Sequence, residues 1–139
     1  MKQRQQVLTV NTRGRGLTDV SRQVADVVAA AGVRTGLCVV FCQHTSCSLL
    51  IQENASPDAA ADLLAFLERI CPDGDPCYTH TAEGPDDMPA HLRATLTHTA
   101  ENIPVVDGRL ALGRWQGLFL IEHRQRGSPR QLVVHVTGE

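Results

Sequence analysis

This sequence lacks an excess of either charge and lacks long apolar runs. Its 139 residues include 13 Lys and Arg against 15 Asp and Glu, and no segment concentrates basic residues into a stripe that would follow a nucleic-acid backbone. No apolar run approaches the roughly 20 residues that a helix needs to cross a bilayer, and no signal-peptide core follows Met1. We therefore predict no nucleic-acid partner, no membrane association and a cytoplasmic location.

Several common site motifs are missing as well. The sequence contains no P-loop, no dinucleotide-binding fingerprint and no G-x-S-x-G elbow. Its cysteines number five and include no C-x-x-C pair, which argues against a disulfide framework and against a zinc ribbon. We interpret them as reduced thiols that are mostly small buried apolar residues. They are Cys38, Cys42, Cys47, Cys71 and Cys77.

The hydrophobic pattern predicts one compact α+β domain over residues 1–139, with a mainly antiparallel sheet or sandwich flanked by two or three helices. Helices are predicted over 20–31, 57–70 and about 89–98, with Thr18 capping the first and Ser56 the second. Strands are predicted over 5–11, 37–41, 48–52, 103–106, 110–112, 117–123 and 131–136, the last four as a closing antiparallel meander. Residues 71–89 are predicted to be an irregular, partly exposed segment of the kind that often carries function.

Three of the six histidines stand beside hydroxyls or carboxylates, and these are His44, His80 and His91. Imidazole supported by carboxylate is the usual chemistry of a transition-metal site. The spacing between the histidines matches no named metal motif, so ordinary surface or core histidines remain the commoner interpretation of spacing alone.

Other polar groups allow two interpretations each. Asp86 and Asp87 suit Mg²⁺ with a phosphorylated substrate, or they form an acidic helix start. Trp115, the only tryptophan, stands between two nearby glycines, where it stacks on a ligand or packs in a hairpin core. Arg124 and Arg126 follow Glu122 on a predicted strand, as part of an ion pair or of an anion site.

Taken together, several segments in order along about residues 7–138 resemble the YjbQ-like family. They are His44-Thr45-Ser46, Glu53-Asn54, Tyr78-Thr79-His80, the stretch from Glu83 to His91, Trp115-Gln116-Gly117 and Glu122-His123-Arg124. The resemblance implies a compact α+β homotrimer with a site where subunits meet. It also implies a secondary thiamine-phosphate synthase, which joins a pyrimidine diphosphate to a thiazole phosphate and releases pyrophosphate. The alternatives are a metal-dependent hydrolase of a small metabolite and a non-catalytic trimer that binds a metal or ligand.

The resemblance also assigns site residues and a small phosphorylated metabolite as partner. It implies a divalent metal, zinc or else magnesium with a phosphorylated substrate, at His44, His80 and His91, with the exact set open and an Asp or Glu able to replace one of the histidines. The groups expected to act as acids or bases, or to hold the ligands, are Glu53, Glu83, Asp86 and Asp87. The expected substrate-binding residues are Thr45, Ser46, Asn54, Arg109, Arg114, Trp115, Gln116 and Arg124.

Overall fold

The computed structural model describes residues 1–139 and contains three helices and eight strands in two antiparallel sheets. The helices are α1 (Ser21–Ala31), α2 (Pro57–Ile70) and α3 (Asp87–Leu96). The strands are β1 (Lys2–Asn11), β2 (Gly16–Asp19), β3 (Thr35–Cys42), β4 (Cys47–Glu53), β5 (Ala100–Val106), β6 (Arg109–Leu110), β7 (Gln116–Glu122) and β8 (Pro129–Gly138). The predicted α+β class is confirmed. None of the three helices has the length and apolar content that a bilayer crossing requires.

The five-stranded sheet has the order β1-β8-β3-β5-β6, and the smaller sheet has the order β2-β7-β4. The main core includes alternate residues of β8, namely Leu132, Val134 and Val136, together with Leu118 and Leu120 of β7. Side chains of period two point to one face of a strand, so this alternation places the core on one face of the larger sheet. Four of the five cysteines are buried and Cys77 is exposed, as predicted for small apolar residues.

The predicted closing meander is wrong, because the last four strands divide between the two sheets. β7 pairs with β2 and β4, whereas β8 pairs with β1 and β3. β7 is buried on both faces. Leu118 and Leu120 join the main core, while Ile121 packs in a second cluster with Leu50 of β4 and Leu67 of α2. Hydrophobic periodicity identifies a strand but does not select its partner, so sequence adjacency was a poor guide here.

Two of the predicted helix starts also need correction. Thr18 does not cap α1, because it lies in β2 opposite Leu120, and the carboxylate of Asp19 accepts the Ser21 N–H at 2.9 Å instead. The side chain of Ser56 makes no capping bond to α2. The Glu53 carboxylate accepts the backbone N–H of Ser56 at 2.9 Å, so Glu53 fixes the turn that leads into this helix.

Candidate metal centre

The candidate metal centre is assembled from α3 and the irregular segment before it. Asp87 and His91 are four residues apart on α3, so they lie on the same face of the helix. His80 comes from the Pro- and Gly-rich connection between α2 and α3. The ligand atoms of His80, Asp87 and His91 all lie within 4.8 Å of one another.

The two imidazoles converge on one carboxylate oxygen. His80 Nε2 lies 2.7 Å and His91 Nε2 lies 3.0 Å from Asp87 Oδ2, and the ring centroids are 5.4 Å apart. Asp87 is only 5% exposed. Two imidazole nitrogens and one carboxylate oxygen within 4.8 Å of one another form a donor set that suits a divalent transition metal.

The orientation of His91 is fixed from the opposite side of its ring. Its Nδ1 lies 2.8 Å from the carbonyl oxygen of Thr45 and donates to it, in the loop between β3 and β4. A histidine whose Nδ1–H is held by a carbonyl presents Nε2 to a metal. The Thr45 contact is thus a backbone contribution to the centre.

Arg124 anchors the acidic start of α3. Its Nη1 donates to Asp87 Oδ1 at 2.7 Å and its Nε to Asp86 Oδ2 at 3.0 Å, while Nη2 donates to the Glu83 carbonyl at 3.0 Å. Burial alone would raise the pKa of Asp87, but hydrogen bonds from His80 and the charges of His91 and Arg124 outweigh it and lower that pKa. Asp87 is therefore ionised, with Oδ1 engaged and Oδ2 facing the histidines.

His44 does not join this group. Its Nε2 accepts the backbone N–H of Gln131 at 2.8 Å, and its Nδ1 lies 3.5 Å from Nη1 of Arg130. Burial, followed by the Arg130 charge, lowers the pKa of His44. Both ring nitrogens of His44 thus face N–H donors. The third member of the group with His80 and His91 is Asp87, and not His44 as expected.

A buried ion pair beside the centre was missed by the sequence interpretation. Arg130 is 6% and Glu122 1% exposed, and Arg130 Nε donates to Glu122 Oε1 at 2.7 Å. Arg130 Nη2 also donates to Ser46 Oγ at 3.0 Å. Burial would raise the pKa of Glu122, but hydrogen bonds from Arg130 and Thr12 hold it below the ordinary value.

One sequence signal for this pair was available. Arg130 has the same parity as Leu132, Val134 and Val136 on β8, so a period of two assigns it to the core face. A charged residue on that face requires a buried partner of opposite charge.

A second group of predicted residues lies elsewhere in the molecule. Glu53 pairs in register with Gln116, whereas Cys47 pairs with Glu122 at the other end of the same strands. Asn54 Nδ2 donates to the Gln116 carbonyl at 3.2 Å. Because β4 has seven residues, the two ends are about 20 Å apart. The predicted set is thus divided in two within the chain.

The remaining predicted residues are exposed. Trp115 is 57% exposed and is not a core residue, and the Arg114 guanidinium lies 5.0 Å from its ring centroid. Arg109 is exposed on the short strand β6. The Glu83 side chain is exposed too, and the contact of this residue with Arg124 uses its backbone carbonyl.

Two surface pockets adjoin the centre. His91 lines an open pocket of about 800 Å³ together with Phe41, His44 and Thr45. His80 lines a smaller one of about 390 Å³. One histidine of the candidate centre therefore lines each pocket.

Comparison with known proteins places this chain in a family. The family model described as UPF0047 protein YjbQ-like matches residues 6–139. The UPF0047 protein sll1880 of Synechocystis sp. is 51% identical, over 99% of this chain and 94% of its own length. The YjbQ protein of Escherichia coli O157:H7 is 37% identical, over 97% of this chain and 98% of its own.

Solved structures of two related proteins have a similar fold. A YbjQ-like protein of unknown function from Sulfolobus solfataricus P2 has a TM-score of 0.90 at 27% identity, covering 99% of both chains. An uncharacterized conserved protein of the yjbq/upf0047 family from Clostridium acetobutylicum has a TM-score of 0.88 at 32% identity, covering 95% of this chain and 99% of its own.

These findings correct the predicted activity and confirm the predicted family. The matched family model and the curated relatives are described only as UPF0047 proteins, and a structural relative is described as a protein of unknown function. The prediction of a secondary thiamine-phosphate synthase is therefore wrong, because neither the family model nor these relatives carry that assignment. With a family model that covers residues 6–139 and a relative that is 51% identical along nearly the whole length, this chain belongs to the UPF0047 YjbQ-like family.

Proposed function

We propose that this protein binds a divalent transition metal, zinc, through His80, Asp87 and His91. The observation that carries the proposal is the convergence of two Nε2 atoms on one oxygen of Asp87, at 2.7 and 3.0 Å. Imidazole ligands suit zinc, whereas magnesium prefers oxygen ligands and several waters. The donor set therefore favours zinc over the magnesium that the sequence left open.

Three protein ligands suit a centre that also binds a small molecule. Structural zinc sites are closed by four protein ligands, whereas catalytic sites with two histidines and a carboxylate keep a position for water or substrate. A bound zinc ion supplies a Lewis acid that polarises an oxygen of such a ligand. In this chain, Thr45 orients His91, and Arg124 keeps Asp87 ionised and in place.

Elemental analysis tests the proposal. Untagged protein is purified, and metal per chain is measured for the unaltered protein, His91→Ala and His98→Ala. His98 is the matched control, because its side chain is 65% exposed and contacts Glu101 rather than the centre. We expect about one zinc per chain in the unaltered protein and the control, and loss in His91→Ala. Absence of metal after zinc reconstitution, or full retention in His91→Ala, would contradict the proposal.

We also propose that the chain forms a homotrimer through the outer face of the five-stranded sheet. Val7 and Phe41 both lie opposite Val133, so these three apolar side chains form a row across the sheet. Val7 is 50% and Phe41 46% exposed, and apolar rows of this kind are typical of surfaces that associate. We propose separately that the protein is cytoplasmic, because none of its five cysteines forms a disulfide.

Light scattering after size-exclusion chromatography tests this assembly. Val7→Asp should reduce the mass from three chains towards one, because it places a charge in the proposed interface. Phe66→Asp is the control, since Phe66 is an equally exposed apolar residue of α2. A monomeric unaltered protein would refute the trimer.

A further inference from the structure

A pocket of about 300 Å³ beside the metal centre has no apolar lining residue. We call it the arginine pocket, and it is lined by Ser46, Arg124, Arg126, Gly127, Ser128 and Arg130. We infer that the arginine pocket binds the phosphate group of a small-molecule ligand. The inference rests on the proposed function only in placing that ligand next to the metal, and the pocket itself is argued from its own side chains.

The donors of the arginine pocket differ in how far they are already neutralised. Arg124 faces the carboxylates of Asp86 and Asp87, and Arg130 faces Glu122. Arg126 is exposed and takes part in none of the ion pairs of the chain. A guanidinium without a carboxylate partner offers a planar set of N–H donors that matches a phosphate. Arg126 is thus the cation available to an incoming anion.

Two hydroxyls add neutral donors to the arginine pocket. Ser46 Oγ accepts a hydrogen bond from Arg130 Nη2 at 3.0 Å, which leaves the Ser46 hydroxyl proton free to be donated. Ser128 also lines the pocket and carries a second hydroxyl. Arg130 is 6% exposed and paired with Glu122, so it fixes Ser46 in place, and the pocket combines one unpaired cation with two hydroxyl-bearing residues.

The loop that carries Arg126 is held in position before any ligand arrives. Thr12 N–H donates to the Ser128 carbonyl at 3.2 Å, and Ser128 N–H donates to Thr12 Oγ1 at 3.1 Å. A side chain at Gly127 would collide with the Thr12 carbonyl oxygen, so only glycine permits this close approach. A loop that is ordered in the free protein loses less entropy on binding.

Arg124 connects the arginine pocket to the candidate metal centre. Arg124 lines the pocket and also donates to Asp87 at 2.7 Å. Ser46 follows Thr45, whose carbonyl holds His91. A divalent ion on His80, Asp87 and His91 would add positive charge next to a pocket whose arginines face three carboxylates. Phosphate should therefore bind more tightly to the zinc-loaded protein than to the metal-free protein.

Isothermal titration calorimetry with inorganic phosphate tests the inference on the full chain, in chelator-treated and zinc-loaded forms. The variants are Arg126→Gln and the control Arg22→Gln, since Arg22 is an exposed arginine of α1 outside the pocket. We expect Arg126→Gln to weaken phosphate binding about tenfold in both forms, the loss of one charge-assisted contact. Arg22→Gln should bind as the unaltered protein does, and acetate should bind more weakly than phosphate.

The outcomes separate this inference from the proposed metal site. No phosphate binding in either form, equal binding by Arg126→Gln, or acetate binding as tight as phosphate would overturn the arginine pocket as a phosphate site. Phosphate binding that depends on Arg126 in a protein that retains no zinc would uphold the pocket and refute the metal proposal. Zinc retention without phosphate binding would support the metal proposal and refute the arginine pocket as a phosphate site.

Discussion

The two ends of the β4–β7 strand pair carry very different polar groups. At the end near Cys47, Glu122 is buried and bound to Arg130, and the neighbouring Arg124 donates to Asp87 of the candidate metal centre. At the other end, Trp115 is exposed and its ring lies beside the Arg114 guanidinium. Motifs that are equally prominent in the sequence therefore contribute differently to the free energy of unfolding. Removing the partner of a buried charge destabilises a fold far more than removing an exposed contact.

Removing Arg130 should have the largest effect on the buried end. Arg130→Met leaves Glu122, which is 1% exposed, without its cation, so we expect a loss of about 3–5 kcal/mol in the free energy of unfolding. Urea denaturation of metal-free protein measures it. The double variant Arg130→Met with Glu122→Gln should recover part of the loss. A destabilisation below about 1 kcal/mol would show that water reaches Glu122.

Metal binding should supply the next effect at this end. If zinc binds at the centre, excess zinc should stabilise the unaltered protein by about 2.7 kcal/mol at a hundred times the dissociation constant. Asp87→Asn keeps the size of the side chain but removes the charge that faces both histidines. Thermal unfolding with and without zinc should therefore show a shift in the unaltered protein and little shift in the variant. An equal shift in both would place the zinc elsewhere.

Part of this centre was predictable from the sequence. Asp87 and His91 share a helix face, which follows from their spacing once the helix is assigned. The approach of His80 depends on an irregular segment, and local pattern carries no information on the path of such a segment. The sequence favoured His44 because hydroxyl residues follow it directly. Local pattern does not show that the fold turns the His44 ring towards Gln131 and Arg130.

Pairing between distant segments explains the other misses. The short strand β2 (Gly16–Asp19) exists because β7 offers it a partner, and four residues beside glycines carry too little pattern to predict it. The Arg130–Glu122 pair joins the ends of strands that belong to different sheets. Local sequence identified the strands themselves, but their tertiary neighbours determine which polar groups meet.

Acid should destabilise the buried end through His123. Burial, and then the positive charge of Arg93, lower its pKa to about 3, and its Nε2 lies 2.7 Å from Ser48 Oγ. The unfolded chain binds a proton near the usual pKa of about 6.5, so this contribution to stability is present above that pH and is lost as the pH falls towards about 3. Between pH 6.5 and 5 the loss should be about 2 kcal/mol.

The variant His123→Gln isolates this effect. Glutamine does not titrate, so the free energy of unfolding of the variant should depend less steeply on pH over the same interval. Urea titrations at several pH values, performed on metal-free protein, measure the slope. Identical slopes for the variant and the unaltered protein would assign the acid sensitivity to other groups.

The exposed end should tolerate substitution best. Trp115→Ala removes the ring beside Arg114, and an exposed cation–π contact contributes about 0.5–1 kcal/mol, so we expect a loss of about 0.5 kcal/mol in a monomeric chain. The backbone bond from Asn54 N–H to the Trp115 carbonyl, at 3.1 Å, does not involve the ring and should persist. Urea denaturation of the Val7→Asp background, in which the proposed trimer is weakened, isolates this local effect. A loss above about 2 kcal/mol there would mean that the ring packs within the chain, which would remove the contrast between the two ends.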